Sequence, residues 1–292
     1  MKPAPFEYEA PDSLPGALEL LERHGAEAKL LAGGQSLIPV MNFRLAQPAY
    51  LVDLKKVPDL DFIRETDDGG VRIGALTRHR QLECDPRVGR RAPLLSEAVP
   101  FIAHPQIRNR GTIGGTLAHA DPAAELPAVA VALRARMRLQ RAGGERWVSA
   151  SDFFQSLFFT ALEPEEILVE VEVPAMPKRS GWSFVEIARR RGDYAQVGVA
   201  AQVRLGRRGR CVEARLVYLS VGDTPVEARR AADVLRGEPI SPAAIEAAAR
   251  AVDEDIEPAG DIHASAAFKR HLAQVLTRRA LQQAAQRAEK GD

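Results

Sequence analysis

The sequence predicts an α+β protein: a two-part region of short strands and helices, followed by a C-terminal antiparallel sheet with helices. Three observations predict it. A strand, glycine turn, helix, strand order runs near the N-terminus, two hairpins flank helical stretches in the middle, and long alternating strands give way to three helices at the end. The expected divisions are 1–56, 57–177 and 178–292, since Pro58 opens the middle region and Val173-Pro-Ala-Met-Pro177 has the composition of a linker.

In order, Ser13 to His24 reads as a helix with Leu14, Ala17, Leu18 and Leu21 on one stripe, Ser13 as its N-cap and Gly25 as its stop. Lys29-Leu30-Leu31-Ala32 is expected as a short buried strand running straight into Gly33-Gly34. Ser36 is expected to cap a helical turn through Leu37, Val40 and Met41, before Tyr50–Asp53 returns as a strand. The order is that of half a dinucleotide fold, but Gly-x-Gly-x-x-Gly is missing, so no Rossmann domain is predicted.

In the middle region Phe62–Glu65 and Val71–Gly74 flank the turn Asp67-Asp-Gly-Gly70 and predict a hairpin. Thr77–Cys84 and Pro93–Ile102 read as helical, and Asp121-Pro122 as the start of an Ala/Val/Leu helix ending near Leu133. A second hairpin is expected around Gly143-Gly144, and Glu166–Val173 as a closing strand. In the last region Ala195–Leu205 alternates strictly and Cys211–Val221 follows, which fits an antiparallel sheet with one covered face. Helices are expected over Val226–Leu235, Pro242–Val252 and from about Ser265, the last with Phe268, Leu272, Val275 and Leu276 on one stripe.

Composition excludes several functions. Forty basic residues against 39 acidic give a net charge of +1, which points to neither nucleic acid nor an anionic membrane. Cys84 and Cys211 are the only cysteines, far apart, so no disulfide framework, structural zinc or self-contained iron–sulfur cluster is expected. The N-terminus lacks the apolar core of a signal peptide and no run reaches membrane-spanning length, so the cytoplasm is the expected compartment and no integral membrane segment is expected. The chain has no P-loop and no His-Glu-x-x-His. Gly34-Gln35-Ser36 opens like a nucleophile elbow, but Ile38 stands where the closing glycine belongs.

The densest signal is Ile107-Arg-Asn-Arg-Gly111-Thr112-Ile-Gly114-Gly115-Thr116-Leu-Ala-His-Ala-Asp121-Pro-Ala-Ala-Glu125. Glycine lets a backbone approach a ligand without a Cβ, and such a loop can aim several N–H groups at an anion. Ala32-Gly33-Gly34-Gln35-Ser36 is a second loop of the same kind. Singly, each is an ordinary turn. As a pair in two successive regions, they suggest one elongated anionic ligand gripped from both sides.

Those two loops, the Ala-Asp-Pro-Ala-Ala-Glu continuation and the segment Arg190-Arg-Gly-Asp-Tyr194-Ala occur in one order. In that order the chain resembles, over essentially its whole length, the medium FAD-binding subunit of the molybdenum hydroxylases, the carbon monoxide dehydrogenase and xanthine dehydrogenase family. The resemblance implies a two-part FAD-binding region of the PCMH/vanillyl-alcohol-oxidase-like type, with the pyrophosphate held between Ala32–Ser36 and Thr112–Thr116 by backbone amides and the hydroxyls of Ser36 and Thr112. It further implies that Lys29, Leu30 and Leu31 line the cofactor together with Ala32, Gly33, Gly34, Gln35, Ser36 and Leu37. Gly111, Thr112, Gly114, Gly115 and Thr116 form the other side. Ile102, Asp121, Glu125 and Leu168 fall where relatives touch the adenosine, ribityl or flavin portions, and Tyr194 where relatives approach the isoalloxazine. Glu125 replaces the aspartate of some relatives, which implies a longer or water-mediated contact, and no lysine stands near Val185 or Glu186, as xanthine dehydrogenase-type relatives have.

By resemblance the function is electron transfer, with no catalytic residue and no metal on this chain. A molybdenum cofactor on a large subunit oxidises the substrate, two [2Fe-2S] clusters on a small subunit relay electrons, and FAD here passes them to an external acceptor. A dimer of such heterotrimers is implied; the charge run Arg189–Arg191 reads as a solvated or interface surface and is expected on the exposed face that meets the iron–sulfur subunit. Gln35, where carbon monoxide dehydrogenases tend to carry histidine, inclines the expectation toward an organic substrate such as an N-heterocycle or aldehyde. The alternatives are a stand-alone FAD oxidase or dehydrogenase and a non-enzymatic nucleotide-binding scaffold.

Overall fold

The computed structural model describes residues 1–291. The chain builds three main sheets in succession, and the glycine segments join the first two. The first sheet comprises β1 (Glu7–Glu9), β2 (Ala28–Leu31) and β3 (Tyr50–Asp53), all parallel, in the order β1-β3-β2. Helix α1 (Leu14–His24) buries Ala17, Leu18 and Leu21. The Ser13 hydroxyl accepts from the Gly16 amide at 3.3 Å, and Gly25 ends the helix at φ +53°, as its left-handed backbone requires. Strand β2 is less buried than expected, because it is the outer strand: Lys29 is exposed, while Leu30 and Leu31 are half-buried. Helix α2 (Leu37–Asn42) starts where expected, but the Ser36 side chain makes no cap bond; the first turn is closed by the Ile38 amide on the Gly34 carbonyl at 3.3 Å.

The second sheet is antiparallel and includes β4 (Ile63–Glu65) and β5 (Val71–Gly74), the expected first hairpin. Short helices α3 (His79–Cys84), α4 (Pro86–Arg91), α5 (Pro93–Ala98), α6 (Pro105–Arg108), α7 (Ile113–His119) and α8 (Glu125–Ala132) follow. The sheet resumes with β6 (Arg136–Arg141) and β7 (Gly144–Ser149). After α9 (Ala150–Phe153) and the small hairpin β8 (Phe154–Ser156)–β9 (Phe159–Thr160), β10 (Ile167–Val173) enters the middle of the sheet, giving the order β4-β5-β10-β6-β7. Helix α8 begins at Glu125 rather than at Pro122. The Asp121 carboxylate caps a tight turn instead, accepting from the Ala123 amide at 2.8 Å, after the left-handed Ala120 (φ +50°) has ended α7. All eight residues of α8 are buried: seven are apolar, as a helix hydrophobic all round demands, and the eighth is Glu125 at its start.

The third sheet runs β11 (Ser180–Ala188), β12 (Ala195–Leu205), β13 (Cys211–Leu219) and β14 (Val226–Glu227) in that order, antiparallel, and α10 (Arg229–Leu235), α11 (Pro242–Ala251) and α12 (Ala266–Lys290) follow. Strand β11 adds to the two long strands expected, and the sheet has two covered faces rather than one. Val197, Val199, Ala201 and Val203 pack with Leu276 and Leu281 of α12. On the other face Ala200, Val217 and Leu219 join the core that contains Val129 and Ala132 of α8. The middle region thus supplies the second cover, which a strand's own alternation cannot reveal. The stripe of α12 is also shifted. Phe268 is exposed, and the buried positions include Leu272, Leu276 and the alanines Ala273, Ala280 and Ala284, whose small side chains let helix and sheet approach closely. Gly181 of β11 shows how close, since a Cβ there would lie 1.8 Å from the Ala284 carbonyl oxygen.

Candidate functional site

The two glycine segments meet backbone to backbone. A Cβ on Gly33 would lie 2.4 Å from the Arg110 carbonyl oxygen and 2.8 Å from the Gly111 Cα, so only glycine permits the contact. Gly34 turns the chain at φ +73°, and the Gln35 side-chain amide donates to the Gly33 carbonyl at 3.0 Å, fixing the turn. The second segment, expected as a loop, is the first turn of α7. Thr112 is its N-cap, accepting at Oγ1 from the Gly115 amide at 3.1 Å. Being 1 % exposed, Thr112 builds the segment from within rather than presenting its hydroxyl outward. Gly114 is a packing residue: a Cβ there would lie 2.5 Å from that of Ala75, just beyond β5. Gly115 and Thr116 remain half-exposed on the rim, with Ala32 beside Gly115.

Beside this contact lies a cavity of about 780 Å³, toward the upper end of small-molecule sites (roughly 300–1,000 Å³). One wall is Leu31, Ala32, Gly33, Gly34 and Gln35; the other includes Ile107, Asn109, Arg110 and Arg78. Residues Thr112–Thr116 do not line the cavity; Gly115 adjoins it through Ala32, 3.5 Å from where a Gly115 Cβ would stand, and Thr116 follows it in the chain. Arg78 and Arg110 form no ion pair among the described residues, and the Arg78 guanidinium donates to the Arg110 carbonyl. Burial, and then the like charge of Arg110, push the Arg78 pKa below its ordinary value. Two guanidinium groups without an ion pair among the described residues, beside glycine amides, make a place for an anion. Nothing in the sequence marks Arg78 and Arg110, because a cation's lack of an acidic partner becomes visible only in three dimensions. Lys55 also lines the cavity but is committed to Asp53 at 3.1 Å and to the Tyr8 hydroxyl at 2.7 Å.

The other anticipated residues fall into two groups. Ile102 and Leu168 are core residues of the middle region, 8 % and 5 % exposed. Asp121, Glu125 and Tyr194 gather with Glu186 at the seam between the middle and C-terminal sheets. Burial lifts the Glu125 carboxyl to about 7, with the Asp121 charge adding to it. Burial lifts Glu186 to about 8, with Glu125 adding, and its Oε2 has no hydrogen-bond partner among the described residues. Tyr194 is 69 % exposed, so its side chain is not part of the core. It follows the turn at Gly192 (φ +89°), which sits against His104 and leaves no room for a Cβ: one would lie 2.5 Å from the imidazole Cε1. The seam is tied by the Ser220 amide on the Pro122 carbonyl at 2.9 Å and the Ser220 hydroxyl on the Ala195 carbonyl at 2.7 Å.

A glycine-lined, guanidinium-bearing cleft fits the anionic part of a nucleotide cofactor. Comparison with known proteins makes the class specific. Residues 4–176 match the family of the FAD binding domain in molybdopterin dehydrogenase, and 182–284 that of the CO dehydrogenase flavoprotein C-terminal domain. The chain belongs to this family of FAD-binding flavoprotein subunits. It is 44 % identical to the 6-hydroxypseudooxynicotine dehydrogenase complex subunit alpha of Paenarthrobacter nicotinovorans, over 99 % of this chain and 97 % of that one. Its fold matches a chain of carbon monoxide dehydrogenase from Hydrogenophaga pseudoflava with a TM-score of 0.95 and 41 % identity, covering 98 % and 99 % of the two chains. Quinoline 2-oxidoreductase from Pseudomonas putida 86 gives 0.94 and 41 %, with 99 % of each chain covered. Among the described residues no helix is long and apolar enough to cross a membrane.

Proposed function

We propose that this chain carries FAD in the cleft beneath the two glycine segments and passes electrons from an iron–sulfur small subunit, fed by a molybdenum-cofactor large subunit, to an external acceptor. The observation that carries the reading is the backbone contact of Gly33 with Arg110–Gly111 beside a cavity of about 780 Å³ holding two unpaired guanidinium groups. FAD, when bound, supplies the redox chemistry. The chain's own part is binding and electrostatics. Arg78 and Arg110 offset the charge of the pyrophosphate, and the amides of the Ala32–Ser36 turn, with the hydroxyls of Ser36 and Thr116, solvate its oxygens. Lys29, Leu30, Leu31 and Leu37 flank the first segment; Ile102, Asp121, Glu125, Leu168 and Tyr194 serve the remainder of the cofactor. Glu125, held near pH 7, retains enough protonated carboxyl at neutrality to donate a hydrogen bond.

The proposed assembly is a dimer of heterotrimers in the cytoplasm, with Arg189–Arg191 facing the iron–sulfur subunit; Arg190 and Arg191 are exposed. The proposed substrate is organic, which Gln35 and the names of two relatives, a 6-hydroxypseudooxynicotine dehydrogenase and a quinoline oxidoreductase, support. Co-expression with the two neighbouring subunits tests the proposal. The expected result is a stable complex whose flavin is reduced on adding substrate, while the single chain binds FAD and oxidises nothing. Substrate oxidation by the single chain would restore the stand-alone oxidase, and a colourless single chain the scaffold.

A further inference from the structure

We infer that His79 is a positioning residue for cofactor binding: its neutral ring holds the Thr116 hydroxyl so that the hydroxyl hydrogen is free for a phosphate oxygen at the rim of the cleft. The inference rests on the proposed FAD site. His79 opens α3, far from both glycine segments in sequence, and is 3 % exposed. It grips the second segment at both ends. Its backbone amide donates to the Gly111 carbonyl at 3.0 Å, and its Nε2 lies 2.9 Å from Thr116 Oγ1. The ring also lies flush against Gly111, where a Cβ would meet Nδ1 and Cε1 at 2.8 Å. A side chain at 111 and this imidazole therefore exclude one another.

The environment selects the tautomer. Among the described residues Nδ1, which is buried, has no hydrogen-bond partner, and an orphaned N–H is costlier there than an orphaned lone pair. The ring proton therefore sits on Nε2 and is donated to Thr116 Oγ1. A hydroxyl has one hydrogen to give and two lone pairs to receive. With one lone pair taken by His79, the Thr116 hydrogen remains available, and a donor that is itself accepting is polarised to donate more strongly. With the opposite tautomer the hydroxyl would donate to Nε2 and turn only lone pairs toward an anion. Burial above all, and then the charges of Arg108 and Arg78, disfavour an imidazolium, outweighing the Thr112 backbone, which favours it.

A double-mutant cycle on FAD affinity, read by flavin fluorescence with circular dichroism as the check on folding, tests this. His79→Leu and Thr116→Val should each weaken FAD roughly 10- to 100-fold, the usual worth of a hydrogen bond to a charged group. The double variant should be no weaker than the poorer single one. His79→Gln, which keeps an N–H at similar reach, and Thr116→Ser should remain within roughly threefold of the parent. Additive losses, or parental affinity in folded His79→Leu, would overturn the role. Should His79→Leu fail to fold, the ring nitrogen chemical shifts of the parent chain at pH 7 decide: Nε2–H with a bare Nδ1 supports the role, and Nδ1–H or imidazolium overturns it. A parent chain that binds no FAD overturns both the cofactor site and this role, whereas tight FAD binding with uncoupled variants overturns this role alone.

Discussion

Gly33→Ala is the smallest change that attacks the site's geometry. The added Cβ would lie 2.4 Å from the Arg110 carbonyl oxygen, about 1 Å short of ordinary van der Waals contact, and 2.8 Å from the Gly111 Cα. Both obstacles are backbone, so neither can rotate away. The two segments must part by about that 1 Å, at a cost of roughly 1–3 kcal/mol in stability, as for other overpacked sites. The same displacement misaims amides whose hydrogen bonds to a charged ligand are worth about 1.5–3 kcal/mol each, so FAD affinity should fall at least roughly tenfold. Urea unfolding gives the first quantity and flavin fluorescence titration the second. Gly89→Ala is the control: it lies in α4 with no heavy atom within 4 Å of where the new methyl would stand, and alanine should stabilise that helix by about 0.5–1 kcal/mol without touching FAD. Equal FAD affinity in Gly33→Ala and the parent would refute the claim that backbone approach at this contact makes the site.

Gly115→Val drives a side chain toward Thr112 Oγ1, which a Cβ would meet at 2.8 Å; it should break the α7 cap, cost about 1 kcal/mol and release FAD from a chain that still folds by circular dichroism. Ser36→Ala should leave stability within about 0.5 kcal/mol because the hydroxyl caps nothing, yet weaken FAD, as paired unfolding and titration curves would show. His79 has its folded pKa depressed from 6.5 to about 4, so its contribution to stability is full above pH 6.5 and is lost as pH falls through 4, on the order of 3 kcal/mol in all; His79→Gln should flatten that limb of the urea stability–pH curve. Glu125 has its folded pKa raised from 4.5 to about 7, so its contribution is full below pH 4.5 and lost as pH rises through 7; Glu125→Gln should therefore be the more stable chain at pH 8, by up to the order of 3 kcal/mol. Tyr194→Ala, at a 69 % exposed position, should change stability by less than about 0.5 kcal/mol while shifting the flavin spectrum or potential; unchanged spectrum and potential would remove Tyr194 from the site.

Local chemistry was the legible part. Ser13 and Gly25 bracket α1 because capping depends on a few adjacent residues, and the Asp67–Gly70 turn sets its hairpin for the same reason. The glycine segments were found because a Cβ-free stretch is written directly in the sequence. What their glycines do was not: Gly114 serves Ala75, and Gly33 serves Arg110 rather than a ligand alone. The second face of the C-terminal sheet was hidden because α8, its cover, comes from a different region of the chain. Arg78, Arg110 and His79 escaped notice for a similar reason, since an absent ion-pair partner or a ring laid on a distant glycine has no signature in spacing.

The central claim, that this chain is an electron-transfer flavoprotein subunit and not an oxidase in its own right, is tested most directly by the anaerobic flavin spectrum. It is recorded on adding carbon monoxide, an N-heterocycle or an aldehyde in turn, first to the purified chain and then to the chain reassembled with its iron–sulfur and molybdenum partners. The account predicts FAD bound in both preparations, with bleaching by one of the substrates only in the assembly. Bleaching of the lone chain by any of them would contradict it.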